Sequence, residues 1–243
     1  MGLYREQGIV LRTWKLGETD RILNILTQGR GKVRAVAKGV RRPGSRFGGR
    51  LEPYSHADLQ FAEGRNLDVV SQAELIESFA GIRDDWVRSA CAATMVETAD
   101  RLAQEGERNL PLFLLLRAGL QALDADPPQP AIFVDAYLLR VAGVSGFRVF
   151  TEACAHCRTP GDHPYLSVTA GGILCRDCAP SGSRAVGEET IALVRLLSGG
   201  DWAALPAAAE ENPAALRTAA SFTRAFVEHH LDQRLRSYPQ VPR

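Results

Sequence analysis

Four cysteines stand in two CxxC pairs, Cys154 and Cys157 in "CAHC" and Cys175 and Cys178 in "CRDC", with seventeen residues between the pairs. Each CxxC turn can aim two thiolates at one point, and two such turns complete a tetrahedron. That arrangement suits zinc, which takes four soft thiolates and imposes no geometry of its own. Four thiolates leave no open position for water or substrate, so the expectation is one structural zinc. His156 and His163 are alternative ligands, but His156 lies inside a CxxC turn and is read as facing solvent. A redox role for one pair would leave the other unexplained. A deaminase-type site needs an acidic base two residues after a ligand histidine. His56 is followed by Ala57 and Asp58, but in a predicted strand far from either CxxC. The fifth cysteine, Cys91, lies on an apolar stripe and reads as core.

The second chemical feature is "AKGVRRPGSRFGGR", residues 37–50. It holds Lys38, Arg41, Arg42, Arg46 and Arg50, no acid, and the structure breakers Gly39, Pro43, Gly44, Gly48 and Gly49. Between Arg21 and Leu51 there are nine basic residues and no acidic one. So many like charges repel one another in the free protein unless an anion offsets them. Ten of the thirteen basic residues in 1–80 are arginine, the type that holds phosphate in bidentate fashion. "GKVRAVAKG" lacks the Gly-Lys-Ser/Thr ending of a Walker loop, so no nucleoside triphosphate site is indicated.

These groups need elements to position them. Residues 7–80 read as five short strands separated by turns, which predicts a small closed barrel. Ile9, Leu11 and Thr13 alternate with Val10, Arg12 and Trp14 in the first strand. The third strand, "GKVRAVAKGV", should place Lys32, Arg34 and Lys38 on one outer face, with the basic segment continuing from it as a flexible loop. From about residue 82 the period becomes helical, through Val87, Cys91, Met95 and Leu102. Asp84 and Asp85 sit where they favour a helix start. "NLPLFLLLRAGLQAL" and "AIFVDAYLLRVAGV" are further helices, with "DPPQP" between them. Asn212 and Pro213 open a last helix carrying the stripe Leu216, Ala220, Val227, Leu231 and Leu235. "YLSVTAGGILC" between the cysteine pairs reads as a hairpin about Gly171 and Gly172. The expected organisation is an α+β chain. A five-stranded barrel occupies 1–80, and a helical domain occupies 81–243 with a zinc-binding insertion at about 148–181.

The totals agree. The chain has 243 residues, 45% of them apolar, and a formal net charge of +1. That balance hides an asymmetry: residues 1–80 hold thirteen basic and nine acidic residues, whereas residues 81–243 hold sixteen and nineteen. No apolar run is long enough for a membrane span, and "MGLYREQGIVLRTWK" reads as structure, not as a secretion signal. A cytoplasmic location follows as an expectation. No nucleophile–base set or paired carboxylates are found, so an enzyme is not expected. Trp14, Phe47, Tyr54 and Phe61 are few aromatics for a base-stacking protein, and some of them should serve the barrel core. Binding should therefore be electrostatic, sequence-independent and salt-dependent.

"GKVRAVAKGVRRPGSRFGGRLEP", the β-then-helix order and a CxxC…CxxC element preceded by "GVSGFRVF" resemble the bacterial RecO family of DNA repair proteins. The resemblance implies an OB-fold N-terminal barrel and a recombination mediator. Such a mediator binds single- and double-stranded DNA, anneals complementary strands and, with RecR, promotes RecA loading on SSB-coated DNA. RecR, SSB and RecF are the implied partners, and the location is nucleoid-associated. The DNA-binding set it implies is Lys38, Arg41, Arg42 and Arg46, with Lys32 and Arg34 on the preceding strand; the charge of the segment itself adds Arg50 to the expected set. Some members lack the four cysteines, so this chain is of the zinc-bearing kind. An SSB tail, acidic and apolar-ended, would fit a groove on helices 109–125 and 131–145 with Arg117 and Arg140 at its rim, unless those helices simply form core.

Two other classes stay open. A zinc-containing RNA-binding protein of the OB-fold type has the same barrel and the same charge. A metal-dependent nuclease would need an acidic cluster that the chain does not display.

Overall fold

A computed structural model describes residues 2–232 and 234–242. The chain divides into two compact units, residues 1–125 and residues 126–243. The change from strand to helix comes earlier, between Glu77 and Ala80.

All five expected strands form in the first unit: β1 (Leu3–Leu16), β2 (Asp20–Thr27), β3 (Gly31–Ala37), β4 (His56–Ala62) and β5 (Asp68–Glu77). They close into a barrel in the order β1-β2-β3-β5-β4. β1 pairs with β2 on one side and β4 on the other, while β3 and β5 meet in parallel through Ala35–Asp68 and Val36–Val69. The alternation expected in β1 is interrupted by a bulge between Val10 and Arg12, so Ile9, Val10 and Leu11 are all buried. The interior is filled by Val10, Leu23, Ile25, Val33, Leu59, Phe61 and Val70.

Three helices complete this unit: α1 (Ala80–Asp84), α2 (Trp86–Leu102) and α3 (Leu110–Asp124). Asp85 caps α2 by accepting from the Arg88 N–H at 2.7 Å, and Asn109 caps α3 by accepting from Leu112 at 3.1 Å. Cys91 and Met95 are fully buried, as the stripe predicted. α2 packs on the outside of β1 and β2. The segment after it reaches the start of β3, where the Lys32 N–H donates to the Gln104 carbonyl at 3.0 Å. Gly31 makes this approach possible: its φ is +65°, and a Cβ there would lie 1.9 Å from the Glu107 carbonyl oxygen.

The second unit contains α4 (Pro130–Val144), the hairpin β6 (Tyr165–Ser167) and β7 (Gly172–Leu174), α5 (Glu188–Gly199), α6 (Leu205–Glu211) and α7 (Pro213–His230). α4 is buried on nearly every side from Ile132 to Ala142, which is why its sequence is apolar all round. Asn212 caps α7 as expected, accepting from Ala215 at 3.0 Å. The helix ends at His230, so Leu231 and Leu235 of the sequence stripe lie beyond it, although Leu235 is still buried.

Candidate nucleic-acid interface and metal centre

The segment between β3 and β4 is built from both its apolar and its basic residues. Val40, Phe47 and Leu51 enter the barrel core, with Phe47 only 1% exposed. A 3₁₀ turn spans Gly48–Leu51, and backbone bonds run from Arg42 to Gly39, from Ser45 to Arg42 and from Gly48 to Ser45. The loop expected to be flexible is therefore pinned across one end of the barrel. Its near side is tied to the β1–β2 turn: the Arg41 N–H donates to Thr19 at 2.9 Å, and its guanidinium donates to the Glu18 carbonyl at 2.9 Å. Its far side rests on β4 and β5. Asp20 accepts from the Gly39 N–H at 2.8 Å and from Thr19, and these bonds hold its carboxyl below the usual range.

The predicted basic residues separate into two groups. Lys38, Arg41, Arg42, Arg46 and Arg50 are all exposed, and none of them makes an ion pair among the described residues. The strand residues are matched by acids. Lys32, with its side chain only 17% exposed, lies 3.6 Å from the Asp100 carboxylate, and Arg34, at 47%, lies 3.9 Å from Glu105. Asp100 also accepts from Asn24 at 3.0 Å and pairs with Arg12 at 3.1 Å. Arg21 pairs with Glu52 at 2.9 Å and Arg30 with Glu63 at 3.6 Å. Arg34 and Lys38 are exposed on the third strand and just past it, as expected, but Lys32 is turned into a contact with α2. Asp100 and Glu105 follow Lys32 and Arg34 by about seventy residues, and no local signal in the sequence announces them.

The four cysteines converge. Their Sγ atoms all lie within 4.8 Å of one another, and those of Cys157 and Cys175 are 3.7 Å apart. Tetrahedral zinc with bonds of about 2.3 Å needs sulfur–sulfur edges of about 3.8 Å, which the Cys157–Cys175 pair meets and the other pairs approach, so the donor set fits that metal with small side-chain adjustments. The hairpin forms as predicted, with Tyr165 opposite Leu174 and Ser167 opposite Gly172. It is anchored to the first knuckle by Ala155 N–H donating to Ile173 at 2.7 Å. Burial raises the Cys154 thiol, but backbone N–H donors from Cys175, Cys157 and His156 outweigh it and bring the thiol down to about 5. Cys178 is pushed up to about 12 by its bond to Cys175 and by burial. Four thiolates so close cannot ionise together without a cation, and a divalent metal supplies that charge. His156 is exposed, as expected, and His163 bonds the Thr159 carbonyl at 2.9 Å instead of joining the cluster.

The remaining candidates have structural roles. His56, 1% exposed, is bonded through Nδ1 to Glu77 at 2.8 Å. His230 bonds the Val168 carbonyl of the hairpin turn at 2.7 Å, while His229 is exposed. The expected rim charges of a groove on the helices are both engaged. Arg117 pairs with Glu77 at 2.8 Å. Arg140 donates to the Leu197 carbonyl at 3.0 Å and the Gly200 carbonyl at 2.8 Å at the end of α5, and lies over Trp202 at 4.1 Å. No helix among the described residues is long and apolar enough to cross a membrane.

Two family models match the chain: Recombination protein O N terminal over residues 1–79, and Recombination protein O C terminal over residues 83–239. Several curated relatives carry the name DNA repair protein RecO. One from Nocardioides sp. is 47% identical over 246 residues, covering 99% of this chain and all of the relative. Those from Frankia casuarinae and Thermobifida fusca are 44% and 43% identical, each covering the whole of both chains.

Proposed function

The chain belongs to the RecO family, and we propose that it works in DNA repair and homologous recombination as a DNA-binding mediator with no covalent step of its own. Its role would be to hold single- and double-stranded DNA without regard to sequence, anneal complementary strands and, with RecR, promote RecA loading on SSB-coated DNA. RecF is a further proposed partner.

The observation that carries this reading is the set of five exposed cations, Lys38, Arg41, Arg42, Arg46 and Arg50, on an anchored loop, none of them in an ion pair among the described residues and only Lys38 and Arg42 within the field of an acid, Asp20. Phosphates would settle on them with little further ordering of the loop, so less conformational entropy is lost on binding. Contacts to phosphate position a strand and leave its bases unread. Annealing needs that: two strands must be neutralised and brought close while their bases stay free to pair. Arg34, loosely held by Glu105, can extend the cationic path, whereas Lys32 acts mainly by fastening β3 to α2.

The metal proposed for Cys154, Cys157, Cys175 and Cys178 is one structural zinc, and it would supply a cross-link between two loops. These residues hold the hairpin turn, through which Val168 meets His230 at the end of α7.

Strand annealing, measured with bare and SSB-coated complementary oligonucleotides for the full chain and for Arg41→Ala/Arg42→Ala, tests the proposal. Loss of annealing in the variant supports it. Full annealing by the variant, or a preference for matched RNA over DNA, would refute it.

A further inference from the structure

OB barrels commonly bind a strand across the outer face of β2 and β3. Here part of that face is covered, although Arg34 stays exposed. Asn24, Leu26 and Lys32 alternate with the barrel-core residues of their strands and so point outward, yet α2 lies on them: Asn24 and Leu26 are buried, and Asn24 and Lys32 are bonded to Asp100. The part of this face under α2 is closed to a strand held by the basic loop.

The loop's far end opens onto a groove of about 440 Å³ on the outer face of β4 and β5. Gln60 and Gln72, paired across the two strands, form its floor. Asp58 and Glu74 lie beside them, but Arg5 binds both, at 2.7 and 3.6 Å. Arg46, its guanidinium 4.9 Å from the Phe47 ring centre, forms the wall toward the loop and adds a second positive charge. With Arg46 counted the groove is electrically balanced, two amides form its floor, and it adjoins the loop that carries the exposed Lys38, Arg41, Arg42 and Arg50.

That pairing of surfaces matches the two halves of a nucleotide, a neutral base and an anionic phosphate. We infer that the β4–β5 groove receives unpaired bases of single-stranded DNA whose phosphates lie on the basic loop. A glutamine amide offers both donors and an acceptor, so it can meet the hydrogen-bonding edge of any base and selects none. In duplex those edges are already paired, so the groove favours single strands over duplex. The inference rests on the proposed DNA-binding role of the loop and adds where the bases go.

The test compares three full-length proteins, wild type, Gln60→Ala/Gln72→Ala and Arg41→Ala/Arg42→Ala, binding one single-stranded oligonucleotide and its duplex. The glutamine variant should lose about tenfold in single-strand affinity, the worth of one or two hydrogen bonds. It should keep its duplex affinity and its salt dependence. Unchanged single-strand affinity, or an equal loss on duplex, overturns the groove assignment. If the arginine variant weakens binding while the glutamine variant does not, only the groove assignment falls. If neither weakens it, the loop reading falls as well. Photo-crosslinking of iodouracil-substituted single strands to the unmutated protein gives a readout that needs no variant. Crosslinked peptides should map to residues 56–77, and crosslinks confined to 20–37 would overturn the inference.

Discussion

Lys32 Nζ lies 2.6 Å from the main-chain carbonyl oxygen of Asp100 and 3.6 Å from its carboxylate. One residue of α2 thus takes up a cation from β3, an amide from β2 (Asn24) and a guanidinium from β1 (Arg12). Asp100→Ala takes the carboxylate away from Asn24, Arg12 and Lys32 but leaves Lys32 its main-chain carbonyl, and Lys32→Ala leaves that carbonyl without its donor. Each should cost about 1–3 kcal/mol, Asp100→Ala more than Lys32→Ala. Urea unfolding measures the loss. The salt dependence of DNA binding by Lys32→Ala should match wild type, and a reduced slope would show that Lys32 contacts phosphate.

The loop cations should behave the other way. If all five contact phosphates, log K against log salt on single strands should have a slope of about −3.5, at roughly −0.7 per phosphate. Arg41→Ala/Arg42→Ala should make it shallower by about 1.4 and weaken all sequences alike. Folding should survive, since both side chains are exposed. A slope unchanged by this double substitution would count against the electrostatic reading.

Metal analysis should find one zinc per chain. Chelation, or Cys154→Ala, should lower the melting temperature of the second unit, because such a small element folds around its metal. DNA affinity should change much less. Annealing lost on chelation with the fold intact would show that the metal does more than hold structure.

Acid should loosen the first unit through Glu77 and His56. Burial would raise Glu77, but hydrogen bonds from Arg117, His56 and Gln121 outweigh it and bring its carboxyl from 4.5 down to about 2. The folded state then binds fewer protons than the unfolded one. Its contribution is complete above about pH 4.5 and is lost as the pH falls toward 2. Burial also holds His56 below its ordinary 6.5, despite the bond to Glu77, so a second loss of the same sign begins below pH 6.5. Urea midpoints taken from neutral to acid pH should fall in both windows. Glu77→Gln should be less stable at neutral pH and lack the lower one. A variant as acid-sensitive there as wild type would remove Glu77 as the cause.

Gly31→Ala should destabilise by more than about 2 kcal/mol, because its positive φ and the Glu107 carbonyl both oppose a side chain. Differential scanning calorimetry checks this against Gly44→Ala. Gly44 also has positive φ but nothing within 4 Å of its Cβ position, so its cost should be smaller.

The features legible in the sequence are those set by short-range chemistry. Strand alternation, the Asn212–Pro213 helix start and the two CxxC turns each depend on neighbours a few residues away. That is enough to reach the barrel, the helices and the four-cysteine cluster. What the tertiary structure decided is which charges stay free. Nine basic residues between Arg21 and Leu51 look alike in one dimension. Asp100 and Glu105 reach Lys32 and Arg34 only because α2 folds back over the barrel, and Coulomb attraction depends on distance in space. In the same way Arg117 and Arg140 read as rim charges until Glu77 and the end of α5 claim them. The glycine-rich loop read as flexible because its composition disfavours regular structure. Only closure of the barrel supplies the apolar interior that holds Val40, Phe47 and Leu51, and with them the five arginines and lysines left for an anion.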